Sequence, residues 1–211
     1  VRLPRFGNAG AYFRDEQEIR SVWWLVEPGD VVIDVGAALG SYTFDAIAKG
    51  ARVVVAVEPD LDALSQLVGL AGENDVLDRV VPVNEALYDD GPYPAELTAA
   101  IKDSPHAHLA LADDTRFSTL DELAVLYGID RLDWVKVDVE GAELGVLCGG
   151  RRTLEKHPGL LVEDHTAVYP HLNDGVQAAE MWELLTGFDY EIVKVPYTGP
   201  TRSYREMWVC R

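Results

Sequence analysis

Short apolar runs separated by turn residues set the rhythm of this chain. Residues 31–35, 52–57, 79–83, 133–138 and 159–163 read as strands, the first two being almost entirely β-branched or small. Runs this continuous suit strands buried on both faces. Between them, segments 39–49, 60–73, 141–148 and 176–186 read as helices, with a further helical piece near 151–156. Asp60 is placed to cap the second of these helices, and Thr119 with Glu122 has capping-box spacing. Strands 189–195 and 205–210 close the chain, with a connection short enough for an antiparallel pair. Upstream, Ile19, Val22, Trp23 and Val26 stand at helical spacing over 15–27, and Pro28-Gly29-Asp30 ends that helix. Residues 1–14 read as an irregular arm carrying Tyr12 and Phe13. The region 88–118 breaks the rhythm through Gly91-Pro92, Pro94 and Ser104-Pro105, and reads as an insertion with one short strand near 108–111.

Alternation of this kind predicts an α/β fold: a doubly wound, mostly parallel seven-stranded sheet with an antiparallel strand near one edge. The 211 residues suit a single domain, 1–211, with an N-terminal arm and helix over 1–29 and an insertion or substrate-covering segment over 88–117.

The turn after the first strand carries the most specific chemistry. Asp34-Val35-Gly36-Ala37-Ala38-Leu39-Gly40 leads from strand to helix, and the next strand ends in Glu58-Pro59. Glycine permits a tight reversal in which the backbone approaches a ligand, and the amides at the helix start are free to bind polar atoms. A dinucleotide site uses G-x-G-x-x-G with the pyrophosphate on the helix N-terminus. Here the pattern is D-x-G-x-x-x-G, and Ala38 stands in place of the middle glycine. The spacing fits S-adenosylmethionine better: Asp34 near the amino group of the methionine moiety, Glu58 accepting both ribose hydroxyls. An ordinary strand–turn–helix would explain the glycine pair alone, but not Glu58 as well.

In an open α/β sheet, ligands bind beyond the carboxyl ends of the strands. Those ends are Asp34, Glu58, Asn84-Glu85-Ala86, Asp138-Val139-Glu140-Gly141 and Glu163-Asp164-His165. The first three suit the cofactor, with Glu85 near the adenine amino group; the last two would flank the reacting methyl. Lys136, Asp138 and Glu140 alternate and would share one strand face, where buried charges must pair or meet a polar cleft. A structural ion pair is expected for Lys136, a site role for Asp138.

Charge narrows the partners. A net charge of −18 opposes binding to phosphate backbones and to anionic membranes; the adjacent Arg151-Arg152 reads as a solvated helix end. No apolar stretch is long enough to span a membrane, and Val1-Arg2-Leu3-Pro4 lacks the apolar core of a signal peptide. Cys148 and Cys210 form neither a C-x-x-C motif nor a disulfide framework, so a reduced, cytoplasmic setting is expected. The expected partner is a small molecule, and a homo-oligomer is compatible with the sequence.

Taken in order, Asp34-Val35-Gly36-Ala37, Glu58-Pro59, Ser118-Thr119-Leu120-Asp121-Glu122-Leu123, Lys136-Val137-Asp138-Val139-Glu140-Gly141-Ala142-Glu143 and Leu161-Val162-Glu163 resemble the FkbM family from about residue 30 to residue 165. The Lys-x-Asp-x-Glu-Gly-x-Glu element is the most specific part. The resemblance implies a Rossmann-like class I S-adenosylmethionine-dependent methyltransferase, many members of which methylate hydroxyl oxygens of sugars or other natural products. It implies that Asp34, Gly36, Ala37 and Gly40 shape the methionine end of the cofactor site. Glu58 with Pro59 would hold the ribose, and Glu85 with Ala86 would face adenine. Ala38 stands where the family often has Asn, and 88–117 matches no family motif.

Oxygen methylation requires an aligned hydroxyl and removal of its proton. His165 is the expected base, since imidazole titrates near neutrality. Asp138 is the second choice or the group that orients the hydroxyl, and Glu163 would pair with either. His106, His108, His157 and His171 are less well placed. Asp138, Glu163 and Asp164 offer oxygen ligands of the kind Mg²⁺ accepts, but no spacing demands a metal and none is assigned. Tyr12, Phe13, Trp23 and Trp24 would line a lid or, for Trp23 especially, the core. Two rivals are a nucleotide-dependent oxidoreductase on the same βαβ plan and a non-catalytic binding protein. The missing middle glycine and the absence of a Tyr-x-x-x-Lys pair after the fourth strand oppose the first; intact acids at successive strand ends oppose the second.

Overall fold

The apolar runs become the centre of one sheet. The computed structural model describes residues 25–89, 91–103, 114–165, 176–196 and 206–211. Its strands are β1 (Val31–Val35), β2 (Val53–Val57), β3 (Val80–Val83), β4 (Ala86–Leu87), β5 (Phe117–Ser118), β6 (Trp134–Val137), β7 (Gly159–Asp164), β8 (Ile192–Pro196) and β9 (Glu206–Cys210). Its α-helices are α1 (Ser41–Lys49), α2 (Leu61–Glu73), α3 (Ala95–Asp103), α4 (Leu120–Leu126), α5 (Glu143–Cys148), α6 (Arg151–Leu154) and α7 (Val176–Gly187). The seven-stranded sheet runs β3-β2-β1-β6-β7-β9-β8, and β4 pairs with β5 apart from it. All pairings from β3 to β7 are parallel, whereas β9 is antiparallel to both β7 and β8. The expected antiparallel strand therefore lies one place in from the edge.

Strand alternation divides the core into two layers. Ile33, Val35, Val55, Val57, Val135, Val137, Leu160 and Val162 face one side, together with Trp208. Val32, Val54, Ala56, Trp134 and Leu161 face the other, against Phe44 of α1 and Leu67 of α2. Each such side chain, fully buried, contributes roughly 1.5–3 kcal/mol. Pro82 is tolerated because β3 is an edge strand, where a missing N–H breaks no central ladder.

The helix signals act as read. Asp60 Oδ1 accepts from the N–H groups of Asp62 (2.8 Å) and Ala63 (3.1 Å) at the start of α2. Thr119 and Glu122 close a reciprocal capping box on α4. Several boundaries differ from expectation, three of them at left-handed turns. α1 begins at Ser41 because Ala38 (φ 46°) and Gly40 (φ 90°) turn left-handed first. β6 stops at Val137 and α5 waits for Glu143, because Glu140 (φ 55°) and Gly141 (φ 104°) form a second left-handed turn. β8 starts at Ile192 because Asp189 (φ 62°) ends α7 before the chain extends.

The region around 88–117 is described at its two ends. β4 and β5 pair there, and Tyr93 and Leu97 are buried in the core beside Tyr88 and Phe117. The arm and most of the helix expected over 1–27, including Tyr12, Phe13, Trp23 and Trp24, lie outside the described residues. So does the short strand expected near 108–111.

Candidate active site

The order of the sheet reverses between β1 and β6, which is where an open α/β sheet leaves a crevice at its carboxyl ends. Asp34 and Lys136 face each other across that junction in register. Both side chains are buried, and Lys136 Nζ lies 3.2 Å from Asp34 Oδ1 and 3.3 Å from Asp138 Oδ2. Nζ also donates to the Gly36 carbonyl (2.7 Å) and sits 4.6 Å from the centre of the Tyr42 ring. Thr43 Oγ1 donates to Asp34 Oδ2 (2.6 Å). The ion-pair role expected of Lys136 is thus what the geometry contains. Asp34 is tied to the glycine turn through Lys136, which bonds both its carboxylate and the Gly36 carbonyl.

The turn is tightly seated. The N–H groups of Gly36 and Ala37 both donate to the Val57 carbonyl, at 2.9 and 3.0 Å. A Cβ on Gly36 would fall 1.8 Å from the Asp138 carbonyl oxygen, and one on Gly40 would meet Phe44 and Leu67 at under 3 Å. Both glycines adopt positive φ, so two independent demands select them.

Glu58 lies across the turn from Asp34. Its Oε2 accepts from the Ala38 N–H (2.8 Å) and its Oε1 from the Asp60 N–H (2.9 Å). Burial pushes its carboxyl up to about 7, against the opposing pull of those two backbone hydrogen bonds. Asn84 Nδ2 donates to the carbonyls of Glu58 (3.0 Å) and Pro59 (2.9 Å), tying the ends of β2 and β3 together. Glu85 is buried, and its Oε2 accepts from Ser118 Oγ (2.7 Å). Ala86, in β4, donates its N–H to the Arg116 carbonyl (2.8 Å).

On the other side of the junction lies an acid–imidazole cluster. His165 is fully buried, and its Nδ1 is 2.8 Å from Glu143 Oε1. Its Nε2 faces Glu140 Oε2 at 3.6 Å, Glu163 Oε1 at 3.7 Å and Asp138 Oδ1 at 3.8 Å. Burial opposes charge on the ring, but the carboxylates of Glu143, Glu163 and Glu140 outweigh it and push the imidazole up to about 10. The expectation that this ring titrates near neutrality does not hold in such surroundings.

Asp138, Glu163 and His165 each offer one donor atom, and those atoms all lie within 4.8 Å of one another. Asp164 is not in that group, because Glu163 and His165 share one face of the extended chain and Asp164 takes the other. The oxygen set expected from sequence, which included Asp164, is therefore corrected: His165 takes its place.

Glu143 is the residue whose part in the site the sequence left unassigned. Beyond His165, its Oε1 accepts from the N–H groups of Val139 (3.2 Å) and Gly141 (3.0 Å), and Gln177 pins the Gly141 carbonyl at 2.9 Å. The signal was present as the second Glu of Glu-Gly-x-Glu, but its partner is 22 residues away. His157 packs on the Tyr190 ring, away from the cluster. His106, His108 and His171 lie outside the described residues.

The family described as Methyltransferase FkbM domain matches residues 34–192. No curated protein matches the chain in sequence. Among solved structures, Aeropyrum pernix fibrillarin in complex with natively bound S-adenosyl-L-methionine is 13% identical, with 94% of this chain and 75% of that one covered and a TM-score of 0.58. An rRNA methylase from Streptococcus thermophilus is 10% identical over 100% of this chain and 98% of the other, with a TM-score of 0.54. A SAM-dependent O-methyltransferase from Thermotoga maritima is 11% identical over 100% and 67%, with a TM-score of 0.51. At these identities the likeness is one of fold, and the fold is the Rossmann-like one expected.

Proposed function

This chain belongs to the FkbM family of S-adenosylmethionine-dependent methyltransferases, and from that premise we propose that it methylates a hydroxyl oxygen of a small molecule, a sugar or another natural product. The observation that carries the reading is the convergence of Asp138, Glu163 and His165 beside the glycine turn. A hydroxyl is a weak nucleophile until its proton is removed, so its methylation calls for an acid–base cluster at the reacting end. A free amine needs no such device. The net charge of −18 favours a small acceptor over an RNA phosphate backbone.

The residues of the turn suit the cofactor by the chemistry of their donors. Glu58 is a buried carboxylate at the β2 end, suited to two ribose hydroxyls, with Pro59 and Asn84 fixing the backbone beneath it. Gly36, Ala37 and Gly40 would take the methionine end, held in shape from below by Asp34 and Lys136. Glu85 and Ala86 would border the adenine. S-adenosylmethionine supplies an electrophilic methyl group on a sulfonium. At the acceptor end, Asp138, Glu163 and His165 would orient the hydroxyl and favour the loss of its proton. Glu143 holds His165 Nδ1, which leaves Nε2 as the ring nitrogen turned toward Asp138 and Glu163. Residues 88–117 would cover the acceptor, anchored in the core by Tyr93 and Leu97.

Calorimetric titration with S-adenosylhomocysteine, NAD⁺ and NADP⁺ tests the cofactor. Binding of the first alone, weakened at least about tenfold in Glu58→Ala, is expected; binding of a nicotinamide nucleotide instead would return the oxidoreductase reading. Mass spectrometry of products formed with a deuterated methyl donor then distinguishes oxygen from nitrogen acceptors.

A further inference from the structure

We propose that Asp138, Glu163 and His165 form a binding site for one divalent cation of the Mn²⁺ or Mg²⁺ kind, placed to hold the acceptor hydroxyl. Its use in catalysis rests on the methyltransferase reading; its existence does not.

Spacing is the first argument. The separations of 3.6–3.8 Å between His165 Nε2 and the oxygens of Glu140, Glu163 and Asp138 exceed direct hydrogen bonds. With metal bonds near 2.1 Å, two ligands of one ion stand about 3.0 Å apart as neighbours and about 4.2 Å apart as opposites, so these pairs lie within reach of a single ion once the donor atoms settle around it. The second argument is the support behind the ring. Glu143 grips Nδ1 at 2.8 Å and is itself fixed by two backbone N–H groups, so Nε2 is aimed between Asp138 and Glu163. A carboxylate behind a histidine is the usual way a protein orients a metal-binding imidazole and raises its basicity. The left-handed turn at Glu140 (φ 55°) adds a third carboxylate at the rim.

Charge is the third argument. Four carboxylates, Asp138, Glu140, Glu143 and Glu163, surround one imidazole, and a divalent ion at Nε2 would take the place of the proton there, since metal binding at an imidazole releases one. Such a concentration of negative charge away from water favours a cation. Asp138 keeps 19% of its side chain exposed, so the cluster is reachable from solvent. One imidazole among carboxylates selects a hard-to-borderline ion, with the nitrogen ligand favouring Mn²⁺ over Mg²⁺. An acceptor hydroxyl bound to that ion would be acidified. The new C–O bond then forms as the C–S bond breaks, the electron pair of the latter stays on sulfur, and the hydroxyl proton passes to solvent.

The test uses chelator-treated protein in about 0.15 M salt, where diffuse attraction to the acidic surface is screened. MnCl₂ is titrated with electron paramagnetic resonance reporting free Mn²⁺, and S-adenosylhomocysteine is titrated separately. The expected result is one Mn²⁺ per chain, displaced by MgCl₂. Glu163→Gln and Asp138→Asn should weaken it at least tenfold, and Glu143→Gln by about 10–100-fold. Asp164→Asn should leave it within twofold. Asp138 is the least buried of the three ligands, so its variant remains decisive even if Glu163→Gln fails to fold. Weak Mn²⁺ binding equal in all variants would assign the ion to the acidic surface at large and overturn the site, as would no stoichiometric binding by the wild type. If S-adenosylhomocysteine binds and Mn²⁺ does not, the cation site falls and the methyltransferase reading stands. If Mn²⁺ binds and S-adenosylhomocysteine does not, the reverse holds.

Discussion

Lys136 is the residue on which both halves of the site depend. Its ammonium group neutralises Asp34, touches Asp138 and fixes the Gly36 carbonyl, all without contact with water. Removing it strands a buried carboxylate, so Lys136→Met should cost about 3–5 kcal/mol in denaturant unfolding, and the double variant with Asp34→Asn should recover much of that. Gly36→Ala has no room for its methyl against the Asp138 carbonyl and should weaken S-adenosylhomocysteine binding at least about tenfold, as measured by calorimetry. Glu58 supplies a pH signature. Its folded-state carboxyl is raised from 4.5 to about 7, so folding favours the protonated form. That contribution to stability is complete below about pH 4.5 and is lost as pH rises to about 7, a difference on the order of 3 kcal/mol. Ribose hydroxyls need the ionised form, so S-adenosylhomocysteine affinity should climb between pH 6 and pH 8 and flatten in Glu58→Gln.

At the level of elements, helix ends carry more of the positioning than helix bodies. Asp121, just inside the capped start of α4, accepts from the Arg152 and Thr153 N–H groups at 3.0 and 2.8 Å and so docks α6 against α4. Thr119→Ala should cost about 1 kcal/mol in thermal or denaturant unfolding, since it removes the side-chain oxygen that accepts from the Glu122 N–H. These caps were legible in the sequence because capping is local chemistry within four residues. The strands β1, β2, β6 and β7 were legible for a related reason: a strand covered on both faces must be apolar throughout, and an acid at its end then stands out. What local pattern could not reveal was anything made by register. The Asp34–Lys136 contact spans a hundred residues and exists because β1 and β6 are neighbours. Glu143 reaches His165 only because the turn at Glu140 and Gly141 delays α5 by two residues. Left-handed conformations at Ala38 and Glu140, neither of them glycine, leave no trace in composition, and they shifted both helix starts that matter most.

At the scale of the whole molecule, the sheet joins β1 to β3, where the proposed cofactor site lies, to β6 to β9, where the proposed acceptor site lies, through the β1–β6 seam. With a net charge of −18, the protein should not shift RNA on a native gel at about 0.15 M salt. No helix among the described residues is long and apolar enough to cross a membrane. The seam also sets a rule for recombination among relatives. A chimaera that takes its first part from this chain and everything from β6 onward from another will separate Asp34 from its own lysine. Such hybrids should fold only when the incoming strand brings an ammonium group to the same rung. Crossovers placed after residue 138 carry the rung intact, and those are the junctions at which a new acceptor specificity can be joined to this cofactor site.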